Sequence, residues 1–226
     1  MKGDTMTRDR FRTIFLALLL GLALTTGAAV AAEPKAVPLS ADDRADVVRA
    51  EDYLNAITTL KARFLQTSPN GVSVEGDAYL SRPGRLRMQY DPPSPLLVVA
   101  DGSFLIVHDR ELGAPSYIPL GSTPAGMLVQ PNLRLTGGSV TVTRVARLPG
   151  VVRISAVETE DPSSGEITLV FSDRPFELRQ WQVRDAQHQV TTVSLFESRT
   201  GVTLDPKLFK FVDPNMTKSP LNLNDH

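Results

Sequence analysis

Residues that could do chemistry are few in this chain, and they do not gather into a constellation. His108-Asp109 could be half of a catalytic triad, with the imidazole taking a proton and the carboxylate orienting it. No G-x-S-x-G elbow supplies the nucleophile, and no glycine-rich loop offers a phosphate cradle. At the end of an apolar run the pair reads as partly exposed surface residues. Glu158, Glu160 and Asp161 could divide acid and base roles, but their loop setting reads as a solvated turn. His108, His188 and His226 are scattered without ligand spacing, and the chain has no cysteine. Neither a metal centre, a disulfide nor thiol chemistry is therefore expected, and no cofactor is implied. Asn215-Met216-Thr217 matches a glycosylation sequon, a pattern that carries little weight alone.

Arg82 stands out instead, through its surroundings. It opens an Arg82-Pro83-Gly84 corner between two extended stretches. In the second, Leu86, Met88 and Tyr90 alternate with Arg85, Arg87 and Gln89. A period of two sends the apolar side chains to one face of a sheet and the charged ones to the other. Pro83 restricts Arg82 to an extended conformation and sets its guanidinium at a strand edge. There it is either a protective edge charge or a functional donor beside an apolar face.

The elements that must position this corner are mostly strands. Extended segments are expected at 72–81, 85–91, 96–100, 104–108, 116–120, 139–148, 151–158, 166–172, 176–185, 190–198 and 208–212, making about ten to eleven strands. Asp101-Gly102 is the strongest short hairpin signal. The change of phase from Phe176 and Leu178 to Trp181 and Val183 predicts a bulge near Arg179-Gln180. Few helices intervene, so the sheet is expected to be antiparallel, and one of this length curls. Continuous apolar runs at Leu96-Leu97-Val98-Val99 and Phe104-Leu105-Ile106-Val107 predict burial on both faces. Trp181 reads as a core residue or as part of a cavity wall.

One long helix is expected over 42–67, where Val47, Ala50, Leu54, Ile57, Leu60 and Phe64 recur at helical spacing. Ser40 and Asp43 form its capping pair. A second, short helix follows Thr123-Pro124 and ends before Pro131, carrying Met127, Leu128 and Val129. It is either a plain connection that caps the core or a lid that can open. Together these elements describe a mainly β protein with helices (α+β), a helix-covered antiparallel sheet curled into a barrel or half-barrel.

The address comes from the first 32 residues. Lys2, Arg8, Arg10 and Arg12 precede an apolar stretch at 14–24, and small residues around Ala29-Val30-Ala31-Ala32 suit cleavage. Residues 1–32 are thus expected to be a cleaved signal peptide, starting at Met1 or Met6, and 33–226 a single domain. Cleavage would remove four of the 24 basic and two of the 25 acidic residues, leaving a mildly acidic chain. Such a balance excludes nucleic acid as a partner, which needs a concentrated basic surface. With no cysteine after the apolar stretch, no lipid anchor is expected, and the exported protein should be soluble.

Several pieces in order now resemble one family, the periplasmic outer-membrane lipoprotein carriers (LolA-like proteins). They are Tyr53-Leu54, Phe64-Leu65-Gln66, Gly76, Leu80-Ser81-Arg82-Pro83-Gly84-Arg85-Leu86-Arg87 and Tyr90-Asp91-Pro92-Pro93. Val98-Val99-Ala100-Asp101-Gly102, Asp109, Thr123-Pro124, Leu169-Val170-Phe171, Leu178-Arg179-Gln180-Trp181 and Leu208-Phe209 follow. The resemblance implies an unclosed antiparallel barrel covered by the N-terminal helix and a short helical lid: a non-enzymatic, monomeric carrier in the periplasm, whose apolar cavity shelters lipoprotein acyl chains. It implies that Arg82 holds the lid shut. It also implies a cavity lining of Leu86, Met88, Tyr90, Val98, Leu105, Met127, Leu128 and Trp181. The implied partners are an inner-membrane lipoprotein-releasing ABC transporter and an outer-membrane lipoprotein receptor or acceptor. Met88 replaces an aromatic residue of better-known members, Gly126 should loosen the lid, and His188 stands where many relatives have a turn glycine. A carrier of another lipid and an exported hydrolase are the competing readings.

Overall fold

The computed structural model describes residues 38–213. The expected signal peptide at 1–32 and the sequon at 215–217 lie outside the described residues. The first described element is helix α1, Ala41–Ala56. Ser40 caps it with a reciprocal box: the Ser40 hydroxyl accepts from the Asp43 amide, and the Asp43 carboxylate accepts from the Ser40 amide.

The helix expected over 42–67 is shorter than its apolar spacing suggested. After Ala56 the chain becomes strand β1, Thr59–Thr67. Leu60 and Phe64 fit a helical stripe, but with Ala62 and Gln66 they also alternate along one face of a strand. Pairing on both sides, with β2 (Ser73–Ser81) and β11 (Val190–Thr200), decides for the strand. Ser68-Pro69-Asn70-Gly71 therefore turns a hairpin and does not stop a helix.

Strands β3 (Arg85–Tyr90), β4 (Leu96–Asp101), β5 (Phe104–Asp109) and β6 (Ser116–Pro119) continue the meander. Next comes helix α2, Pro124–Val129. Strands β7 (Val140–Leu148), β8 (Val151–Glu158), β9 (Gly165–Ser172) and β10 (Glu177–Asp185) lead to β11. All eleven strands form one antiparallel sheet in the order β6-β5-β4-β3-β2-β1-β11-β10-β9-β8-β7. β6 and β7 are its two edges, so the curled sheet is an unclosed barrel. A register shift between Leu178 and Gln180 on β10 places the bulge where the change of apolar phase predicts it.

Helix α1 enters the concave side, where Val47, Ala50 and Leu54 join the core with Ile167, Leu169 and Phe171 of β9. Tyr53 meets Phe171 and Phe176 edge-on at 6.0 and 5.9 Å, and the Arg49 guanidinium lies 4.0 Å from the Phe176 ring centre. Both faces of β4 and β5 are covered, but the helix does not cover the outer one. A 3-10 turn at Pro206–Phe209 does so: Arg87, paired with Val99, donates to the Leu208 carbonyl at 3.1 Å. The strand expected at 208–212 is thus a turn and an irregular strap. This strap also buries His108, only 6% exposed, under the Phe211 ring at 5.3 Å. His108 is therefore not the partly exposed surface residue expected, and Asp109 is occupied in capping the following turn at Glu111.

Candidate functional site

The concave face not filled by α1 encloses a cavity of about 510 Å³, within the range of small-molecule sites. Its wall follows from the alternation of the strands. Leu86, Met88 and Tyr90 of β3 face inward, joined by Val98 of β4, Leu105 of β5 and Trp181 of β10. Leu128 of α2 closes one side. Met127 is buried in the core but is not part of the wall, because neighbouring residues on a helix point about 100° apart. Leu54, Ile57, Leu80, Val107, Val193 and Leu195 complete much of the lining. Sequence reasoning missed Leu60 and Gln66 as wall residues by reading β1 as helix.

Helix α2 is too short to stand alone, so its ends are held by side chains and neighbouring backbone. At the N-terminus the Thr123 hydroxyl accepts from the Gly126 amide at 3.0 Å. Gly126 does not loosen this helix. A Cβ there would lie 2.0 Å from the Leu120 carbonyl oxygen, so glycine is what permits the tight approach. At the C-terminus three carbonyls would lack partners. Arg82 Nη2 donates to Leu128 O at 2.7 Å and Nη1 to Gln130 O at 3.0 Å. The Gly84 amide donates to Val129 O at 2.8 Å. The Arg-Pro-Gly corner therefore takes all three.

Arg82 has no carboxylate partner among the described residues, and burial pulls its guanidinium below the ordinary arginine value. It stays cationic all the same, since arginine keeps its proton in proteins. Beyond the lid, Asn55 of α1 brackets Leu133, donating to its carbonyl at 3.0 Å and accepting from its amide at 2.8 Å. Glu51, one turn earlier, accepts from the Leu135 and Thr136 amides. The same helix that fills half the barrel thus fixes the chain leaving the lid. Among the described residues no cluster of His, Asp or Glu could hold a metal ion. Glu158 ends β8, and Glu160 and Asp161 lie in the β8–β9 connection; none of the three lines the cavity, although Ser164 of that connection does. His188 occupies the β10–β11 turn with φ 62°, a left-handed conformation usually taken by glycine.

A half-barrel around a mostly apolar cavity is the architecture of a binding protein. The profile of the family described as "Outer membrane lipoprotein carrier protein LolA" matches residues 55–212, and the chain belongs to that family. A relative in Dechloromonas aromatica, named outer-membrane lipoprotein carrier protein, is 31% identical over 178 residues, covering 74% of this chain and 84% of its own. One of the same name in Pseudomonas aeruginosa is 28% identical over 212 residues, covering 90% and 94%. A crystal structure of a LolA superfamily protein from Nitrosomonas europaea aligns with a TM-score of 0.43 at 9% identity, covering 74% of this chain and 97% of that one.

Proposed function

We propose that this protein is a periplasmic carrier that encloses the acyl chains of lipoproteins and takes them from the inner to the outer membrane. The observation that carries the proposal is the apolar cavity shut by Arg82 on the lid carbonyls. Each methylene transferred from water to such a wall contributes about 0.8 kcal/mol. Two or three acyl chains therefore cannot cross an aqueous compartment unshielded, and a wall of Leu, Val, Met and Trp supplies the shield. Leu86, Met88, Tyr90, Val98, Leu105, Leu128 and Trp181 contact the chains, and Arg82 is the switch between closed and open lid. The carrier turns over no substrate. It receives cargo from an inner-membrane lipoprotein-releasing ABC transporter and gives it to an outer-membrane acceptor. Depleting the protein in its host tests this directly. Lipoproteins should accumulate in the inner membrane, and normal outer-membrane sorting after full depletion would overturn the reading.

A further inference from the structure

The wall contains one pair of polar groups that the lid latch does not use. Gln66 of β1 and Tyr90 of β3 both line the cavity and are only 7% and 3% exposed. The Tyr90 hydroxyl donates to Gln66 Oε1 at 2.7 Å. Burial raises the phenol above its ordinary pKa, so the hydroxyl keeps its proton. This bond uses the tyrosine proton and leaves both N–H donors of Gln66 without a protein acceptor among the described residues. The amide nitrogen is open to the cavity, where an acceptor on whatever fills it can take these donors.

The pair is held rigidly. The Tyr90 ring meets Phe64 edge-on, with centroids 5.1 Å apart at 86°. Phe64 can lie there because Gly76 has no side chain, and a Cβ would come within 2.7 Å of the phenyl ring. Position along the strand also matters. Leu60 pairs with Leu80, next to the Arg82 latch, whereas Gln66 pairs with Val74 six residues further along β1. That separates the pair from the latch end by about 20 Å of strand. Thr191 and Asp185 also line the cavity and belong to the neighbouring strand ends of β11 and β10. Polar groups line the wall at both ends: Gln66, Tyr90, Thr191 and Asp185 here, and Arg82, Ser122 and Thr123 at the lid.

We propose that Gln66 and Tyr90 form a subsite for a carbonyl oxygen, that of the ester joining an acyl chain to its glyceryl backbone. This subsite fixes one carbonyl of the lipid at the end of the wall away from the Arg82 latch. The inference rests on the acyl-carrier reading and adds a chemical preference to it. Gln66 Nε2 donates to the carbonyl while Tyr90 orients the amide. Hydrocarbon alone then fills the cavity, but the ester determines how deep it sits.

Dipalmitoylglycerol and its diether counterpart dihexadecylglycerol differ only in the carbonyls. Each can be presented from the same detergent to displace a fluorescent fatty-acid reporter. The protein should bind the ester roughly three- to tenfold more tightly than the ether. Gln66→Leu should erase that preference. Because it strands the Tyr90 hydroxyl, the double variant Gln66→Leu/Tyr90→Phe is the companion, replacing both partners by apolar groups of similar shape. It should fold and bind the two probes alike. Equal affinities in the unaltered protein would overturn the subsite and leave the carrier reading intact. A preference that survives in the double variant would also overturn it. Binding of neither probe would overturn the carrier reading and the subsite together.

Discussion

Arg82 bonds two lid carbonyls with one guanidinium, at 2.7 and 3.0 Å, and the adjacent Gly84 amide takes the carbonyl between them. Hydrogen bonds from a charged donor contribute about 1.5–3 kcal/mol each, enough to change an open-to-closed ratio roughly ten- to a hundredfold. Arg82→Leu should therefore speed amide exchange across 123–130. It should also let lipid bind readily while transfer to an acceptor fails, because the closed state no longer competes with cargo. Unchanged exchange and unimpaired transfer would reduce Arg82 to an edge charge. Gly126 gives a second test at this scale. Glycine to alanine inside a helix ordinarily stabilises by up to about 1 kcal/mol. Here the new methyl would meet the Leu120 carbonyl at 2.0 Å, and overpacking of this kind costs about 1–3 kcal/mol. Gly126→Ala should lower the urea midpoint, whereas Gly121→Ala, with nothing within 4 Å of its Cβ, should not.

At the scale of elements, α1 and β1 divide the work of holding the site. Asn55 on α1 brackets Leu133 beyond the lid, so Asn55→Leu should raise exchange at the Leu133 amide while leaving that of β8 and β9 unaffected. On the outer face of β1, Arg63 bridges Asp91, Glu75 and Asp77. Its hydrogen bond and charge hold the Asp91 carboxyl below the ordinary 3.8. A carboxyl whose folded pKa is depressed adds stability above its unfolded value and loses it as pH falls through the folded one. Asp91→Asn should thus lower the urea midpoint well above pH 3.8 and flatten its decline below that value, so that the two proteins converge in acid. β1 also shows where the sequence was ambiguous. Its inner positions Leu60, Ala62, Phe64 and Gln66 include one small and one polar residue, which blurs the period of two and leaves a helical reading intact. The β3 alternation has no such interruption, so Leu86, Met88 and Tyr90 were legible as one face. The strap at 206–213 was not, because Leu208, Phe209 and Phe211 are apolar for packing across Val99 and His108 and not for pairing.

For the whole molecule, the open barrel explains why one sheet can serve both as scaffold and as container. The unpaired edges β6 and β7 let the two halves of the wall come from opposite ends of the strand order, while α1 fills one half and leaves the other open to a ligand. Ten of the eleven strands and the short helix were within reach of turn chemistry and alternation, whereas β1, the strand order and the cavity depend on pairing that no local pattern encodes. The most direct test of the carrier account places a photo-crosslinking side chain at Met88, inside the wall, and separately at Gln89, one residue along and facing out. Illuminated in the periplasm, the Met88 position should attach to the acyl-modified ends of lipoproteins and the Gln89 position should not. Equal attachment from both positions, or none from Met88 in a folded protein, would contradict the account.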